Sequence, residues 1–325
     1  MAGLHWDRKM TTLLLTHPCF VEHDTGLGHP ERPDRMRAID KVLAHELFKP
    51  LKREEAPLRE DVEAAIELAH PMAYIDWVKS ARPAEGEAPV RLDPDTVLSA
   101  KSWEPALRAV GAGLRAIDCV MDKASGVRNA FCQVRPCGHH AERERAMGFC
   151  IFSNVAIAAL YARKRYAVER VAVVDFDVHH GNGTQDIFWS DRNLLFASTH
   201  QMPLYPGTGA ISEAGVGNIF NAPLRPGDGG DRFKEAFEAR LLPALQNFAP
   251  DLVFISAGFD AHKDDPLANL RLIEPDFAWA TGKIADLADR YAGGRLVSML
   301  EGGYNLAALA KSVGVHVKAL MQAGA

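Results

Sequence analysis

Short, nearly continuous apolar runs separated by longer helical patterns set the strongest limit on how this chain folds. Strands are predicted at 11–16, 130–134, 171–176, 194–199, 252–257 and 295–300. Between them, helical periodicity covers 31–48, 60–69, 71–80, 100–121, 153–164, 230–247, 275–291 and 305–322. Strands without polar alternation are buried on both faces, and their alternation with helices implies a parallel sheet covered by helices on each side. No internal repeat or low-complexity linker divides the chain. The Pro/Gly-rich stretches 82–94 and 203–230 lie between elements and read as long functional loops. One domain over 1–325 is expected, with about ten N-terminal residues as an extension.

In open sheets of this kind, ligands bind beyond the carboxyl ends of the strands. Four predicted strands run into polar clusters there. The run at 171–176 leads into Asp177-Val178-His179, and the run at 252–257 into Gly258-Phe259-Asp260. The run at 295–300 leads into Glu301-Gly302-Gly303-Tyr304, and the run at 130–134 reaches His139-His140. Four such ends fit one shared site.

Strand alternation would point Asp177 and His179 to the same side of an extended segment. With Asp260 they would offer a divalent metal three protein ligands and leave a position open, as catalytic sites do. Two carboxylates and one imidazole suit Zn²⁺ and also Fe²⁺, Co²⁺ or Mn²⁺. Taken singly, Asp177 and His179 read as a helix cap and a core histidine. Asp175 argues against that, because a second carboxylate in an apolar strand is costly unless paired or metal-bound. A neutral imidazole from His139-His140 would serve as a general base, and Gly138 permits close backbone approach. Alone, that pair reads as two surface histidines. His180 reads as structural. The Tyr304 hydroxyl could donate to a developing oxyanion or lie buried under a helix cap. Gly181-Asn182-Gly183 and Gly227-Asp228-Gly229-Gly230 match neither a P-loop nor a dinucleotide fingerprint and read as turns.

A net charge of −5 gives no footprint for nucleic acid or an anionic membrane. No apolar run approaches a membrane span, and the N-terminus lacks a signal-peptide pattern. The five cysteines have no CxxC spacing, which argues against a disulfide framework or a cysteine zinc site. A reducing, cytoplasmic setting is expected.

The ordered segments His29-Pro-Glu-Arg-Pro33, Arg135-Pro-Cys-Gly-His-His-Ala141, Gly148-Phe-Cys150, Asp175-Phe-Asp-Val-His-His-Gly-Asn-Gly-Thr-Gln185, Tyr205-Pro-Gly-Thr-Gly209, Ser256-Ala-Gly-Phe-Asp-Ala261, Asp265-Pro-Leu267 and Leu300-Glu-Gly-Gly-Tyr-Asn305 together resemble the histone deacetylase superfamily, its class II-like branch in particular. The resemblance spans nearly the whole chain. It implies an open α/β fold of the arginase/deacetylase type, with a mainly parallel sheet of about eight strands and helices on both faces. It implies Zn²⁺ on Asp177, His179 and Asp260. His140 would be general base and acid, His139 its electrostatic partner, and Tyr304 the group that polarises the acyl carbonyl. Asp175 would orient His139, and Asn182 would face His140. Gly148, Phe149 and Tyr205 would line a tunnel for the acyl-lysine stem, with Leu267 at a gatekeeper position and Asp95 at the rim. Structural K⁺ would sit at Asp175, Asp177, His179, Ser198 and Thr199, and again near Phe188, Asp191 and Leu194.

The resemblance thus implies a zinc-dependent deacetylase acting on an acyl-lysine peptide or protein, or on a small acylated amine. Homo-oligomers are compatible with it. An acetylpolyamine amidohydrolase is the nearest rival, although Leu267 stands where a polyamine-selective branch carries glutamate. A two-metal ureohydrolase would want a second carboxylate set that Asp177-Val-His-His-Gly lacks. A non-catalytic acyl-ligand binder would have lost one of the six central residues, and none is missing. Two departures stand out. Cys137 replaces a proline of the family pattern, read here as an inert buried thiol with oxidant sensitivity as the alternative. Tyr205 stands where phenylalanine is common.

Overall fold

The apolar runs pair side by side, all in the same direction. The structure, a computed structural model, describes residues 11–325, so the expected N-terminal extension lies outside the described residues. The elements are β1 (Thr11–Thr16), α1 (Asp34–Leu43), β2 (Lys52–Glu55), α2 (Val62–Ile66), α3 (Met72–Ala81), β3 (Val90–Arg91), β4 (Val97–Leu98), α4 (Trp103–Met121), β5 (Val127–Cys132) and α5 (Asn154–Tyr166). There follow β6 (Val171–Asp175), α6 (Asn182–Phe188), β7 (Leu194–Gln201), β8 (Ile219–Leu224), α7 (Gly230–Ala236), α8 (Leu242–Phe248), β9 (Leu252–Ala257), α9 (Glu274–Ala292), β10 (Leu296–Leu300) and α10 (Leu306–Ala323). Eight strands form one parallel sheet in the order β2-β1-β5-β10-β9-β6-β7-β8. Every residue of β6, β7, β9 and β10 is buried. The nearly continuous apolar runs of β6, β9 and β10 anticipate this condition, whereas β7 also buries Ser198, Thr199, His200 and Gln201. Helices α1, α9 and α10 pack as one group and α4 with α5 as another, so the sheet is flanked by helices. Among the described residues no helix is long and apolar enough to cross a membrane.

The order of the strands places the site. After β5 the chain leaves a gap, lays down β6, β7 and β8 beyond it, and returns to fill the gap with β9 and β10. The neighbours β5, β10, β9 and β6 are therefore the strands that precede His139-His140, Glu301–Tyr304, Asp260 and Asp175–His179. Being parallel, they deliver all four segments to one edge.

Several boundaries differ from expectation. The helix predicted from 31 begins at Asp34, after Pro33, since proline supplies no N–H for a preceding turn. The stretch 60–69 yields only the five-residue α2. A π-helical segment, Phe237–Leu241, joins α7 to α8. Unforeseen elements also appear: the hairpin β3–β4, which begins in the first loop region and ends just beyond it, and the edge strand β8 within the second.

Candidate active site

Strand β6 ends at Asp175, and the chain bends through 177–179 instead of continuing extended. Alternation is therefore not what groups Asp177 with His179. Asp175 Oδ1 accepts the Asp177 N–H at 3.0 Å, and Asp177 Oδ1 accepts the His179 N–H at 2.9 Å. These are Asx-type turns, in which a short carboxylate replaces a backbone acceptor. Asp260 Oδ1 accepts the Val178 N–H at 2.9 Å, which ties the loop after β9 to the loop after β6.

The result is a buried cluster. Ligand atoms of Asp177, His179 and Asp260 all lie within 4.8 Å of one another. His179 Nδ1 is 3.2 Å from Asp177 Oδ1 and 3.0 Å from Asp260 Oδ2. A Cβ at Gly258 would stand 2.0 Å from Asp177 Oδ2, and one at Gly302 2.2 Å from Asp260 Oδ2. Only glycine lets the backbone close on these carboxylates. Burial, and then the charge of Asp177, raise the Asp260 carboxyl. Two acids held this close in the interior call for a cation. The donor set fits a divalent metal such as zinc.

The two histidines after β5 are neighbours with opposite tendencies. Glu301 Oε2 accepts the N–H groups of Gly138 at 2.7 Å and His139 at 3.1 Å, which fixes the turn that carries them. The rings lie 4.0 Å apart. His139 Nδ1 meets Asp175 Oδ2 at 3.0 Å. Burial alone would lower this imidazole, but Asp177 and Asp175 override it and raise His139 well above its usual range. Burial pushes His140 well below that range, and so do the neighbours His139 and His179. His140 Nδ1 lies 2.8 Å from Asn182 Oδ1, while Asn182 Nδ2 donates to Glu142 Oε1 at 2.7 Å. Because Glu142 holds the amide nitrogen, Asn182 presents its oxygen to His140. His140 Nδ1 therefore carries the proton and Nε2 keeps its lone pair.

His140, His179 and Tyr304 all line one cleft of about 370 Å³. Gly148, Phe149, Tyr205, Leu267 and Asp95 line it as well, so every substrate-contact residue named from the sequence reaches it. Phe149 has φ 70°, and its N–H donates to Thr96 Oγ1 at 3.1 Å. Tyr304 is held through its backbone: its N–H donates to Asp265 Oδ2 at 2.7 Å. The Arg35 guanidinium lies 5.2 Å from its ring centre, and the Phe149 ring packs edge-on at 5.8 Å. Burial raises the Tyr304 hydroxyl well above its usual range, which keeps its proton in place.

The two potassium sets fare differently. Asp175 and Ser198 are register partners across β6 and β7. Thr199 Oγ1 beside them is buried with no partner among the described residues, an oxygen a cation would satisfy. Ser198 Oγ already pairs with His200 Nδ1 at 2.9 Å. The carbonyls of Phe188, Asp191 and Leu194 do converge, but on Asn218 Nδ2, at 2.9, 3.1 and 2.7 Å. An amide nitrogen holds the point a cation would take, so that second set does not fit potassium. His180 has Thr208 Oγ1 at 2.8 Å and Gln185 Oε1 at 3.0 Å on its two ring nitrogens. Sequence reasoning gave no role to Glu301, Asp265, Glu142 or Arg35. Their signal was slight: each is a charged residue within two positions of a motif glycine, proline or histidine.

Comparison with known proteins agrees with this geometry. Residues 29–320 match the histone deacetylase domain. A histone deacetylase-like amidohydrolase of Pseudomonas aeruginosa is 39% identical, over 88% of this chain and 75% of that protein. A probable deacetylase of Archaeoglobus fulgidus is 35% identical, over 91% of this chain and 82% of its own length. The crystal structure of the HDA15 HD domain superposes with a TM-score of 0.88 at 34% identity, covering 97% of this chain and 90% of the other.

Proposed function

Because the chain belongs to the histone deacetylase family, which supports a deacetylase activity, we propose that it is a zinc-dependent amidohydrolase that removes acetyl or related acyl groups from lysine side chains. The observation that supports this reading is that His140, His179 and Tyr304 face one cleft, where they would act as base, metal ligand and oxyanion donor.

Asp177, His179 and Asp260 would hold the metal, which supplies Lewis acidity for the acyl oxygen and lowers the pKa of water toward ~7. His140 Nε2 takes the proton of the attacking water. The Tyr304 hydroxyl donates to the oxygen that gains charge as the carbonyl becomes tetrahedral. His139, positive between Asp175 and Asp177, makes His140 a reluctant proton holder, so His140 passes the proton to the leaving amine. Carboxylate and free lysine amine result. Phe149 and Tyr205 offer aromatic walls to the lysine stem, and Asp95 an acceptor at the rim. A structural monovalent cation at Asp175, Asp177, His179, Ser198 and Thr199 belongs to the same proposal.

Leu267 in the cleft wall favours acyl-lysine over acetylpolyamine, because an apolar side chain gives a second ammonium no counter-charge. A substrate panel on zinc-loaded protein tests this: acetyl-lysine, longer-acyl and trifluoroacetyl-lysine peptides against acetylspermidine. The peptides should have the higher kcat/KM. Preference for acetylspermidine would establish the rival, and binding of acyl-lysine without turnover would establish a non-catalytic binder.

A further inference from the structure

Cys137 and Cys150 take no part in that chemistry, yet they adjoin it. Their sulfur atoms lie 3.3 Å apart, in a small buried cluster with Ala141 against Phe149. Both sulfurs also face the carbonyl oxygen of Gly148, at 3.9 and 3.4 Å. A bonded pair would sit at about 2.0 Å, so closure needs little movement. The pair is 2% and 0% exposed, which admits only a small oxidant. Gly148 and Phe149, which adjoin the pair, form part of the cleft wall. The buried Arg35 guanidinium is an electrostatic neighbour of Cys137, whereas the Cys150 thiol is kept protonated by burial and by Cys137.

We propose that Cys137 and Cys150 are an oxidation site that takes a hydroperoxide as oxidant and closes to a disulfide that stops hydrolysis. The Cys137 sulfur attacks the peroxide, the O–O bond breaks, and an alcohol or water leaves with the thiol proton. Cys150 then attacks the resulting sulfenic sulfur, the S–O bond breaks, and water leaves with the second proton. Two thiols are oxidised and one peroxide is reduced. The consequence follows from packing. A Cβ at Gly148 would lie 2.4 Å from the His140 ring, so this backbone abuts the base with no slack. Cys137 precedes His139 by two residues. Drawing the sulfurs together displaces the His139-His140 turn or the Gly148-Phe149 wall, while Asp177, His179 and Asp260 lie on other loops.

Zinc-loaded protein is exposed to hydrogen peroxide. Its thiols are then counted after denaturation and its peptides mapped by mass spectrometry. Of the five free cysteines, two should be lost to a peptide joining residues 137 and 150. Zinc content should hold. Hydrolysis should fall about a hundredfold, as a misplacement of ~1 Å can cause, and return with dithiothreitol. Cys137→Ala and Cys150→Ala should form no link and keep their activity through the same exposure. The idea is overturned by an absent link, by a link that leaves activity unchanged, or by equal inactivation of the alanine variants. The inhibition rests on the proposed hydrolysis but the linked peptide does not, so a chain inert from the outset would show the link while refuting only the earlier reading.

Discussion

Two clusters of charge are buried in this molecule, and they are balanced in opposite ways. Around Glu31 the balance closes within the chain. Glu31, Arg35 and Arg135 are each 0% exposed. Arg35 meets the carboxylate at 3.1 Å, and Arg135 meets both oxygens, at 2.5 and 2.8 Å. The remaining guanidinium donors go to the carbonyls of Gly303, Glu301 and Phe20. Burial would raise the Glu31 carboxyl, but Arg135 and then Arg35 bring it down to about 2. Around Asp177 and Asp260, by contrast, carboxylates crowd one another and the chain provides imidazoles but no arginine. The first cluster is complete and structural. The second has the make-up that a divalent cation would balance. They are also connected, because Arg35 grips the carbonyls on either side of Gly302 and stacks on Tyr304.

The sharpest break in this contrast is Asp260→Asn. It keeps an acceptor for the Val178 N–H but removes a charge the metal needs. Activity should fall to background and zinc content to near zero. Wild type at a metal concentration 100 times Kd should gain about 2.7 kcal/mol of stability, and the variant none. Full zinc occupancy in Asp260→Asn would refute the ligand set. Glu31→Gln should do the reverse. It strands two buried guanidinium groups, which typically costs about 3–5 kcal/mol, while every metal ligand remains. Denaturant unfolding of the zinc-loaded variants measures this, and a loss under ~1 kcal/mol would show that the arginines find other partners.

Tyr304→Phe sharpens the link between the clusters. The ring stays for Arg35 and Phe149, and only the hydroxyl goes. Turnover should drop ~10²–10³-fold with zinc content intact. Near-wild-type activity would remove Tyr304 from the mechanism.

How much of this was readable in the sequence follows the same division between centre and periphery. β6, β9 and β10 were legible because strands covered on both faces must be apolar throughout. β2 is Lys-Arg-Glu-Glu, and β8 carries asparagine and proline. Both are edge strands, where charge and proline guard against further pairing and erase the apolar signature. Within the site, Asp177, His179, Asp260, His139, His140 and Tyr304 were legible because each follows a strand. The reason given for Asp177 and His179 was wrong: a pair of Asx turns, not alternation, groups them. Glu301 and Asp265 act through backbone N–H groups of turns whose shape periodicity does not encode. The closeness of Gly258 to Asp177 and of Gly302 to Asp260 and Asp177, all far apart in sequence, exists only once the sheet has formed.

His316 supplies a third term, a buried polar group with no charge at all, and the smallest predicted effect. Thr281 Oγ1 donates to the Phe277 carbonyl and so accepts from His316 Nδ1 at 2.7 Å; the Ser298 hydroxyl then donates to Nε2 at 2.8 Å. Neutral imidazole, with one donor and one acceptor, is fully satisfied there. Protonation would set a second N–H against the Ser298 proton, and burial lowers this group to about 3. His23, lowered to about 3, and His70, lowered to about 4, are alike in being held neutral first by burial. In the unfolded chain each binds a proton near its ordinary pKa of about 6.5. Their folded values are depressed, so they cost nothing above that pH and destabilise the fold as pH drops from 6.5 toward 3–4. The slope is about 1.4 kcal/mol per pH unit for each histidine. Replacing His316 with glutamine, which can also donate and accept, should remove one such share. The difference in unfolding free energy between wild type and His316→Gln should therefore narrow from pH 6.5 to pH 5, and a constant difference across that range would mean that His316 is protonated in the folded protein as readily as in the unfolded one.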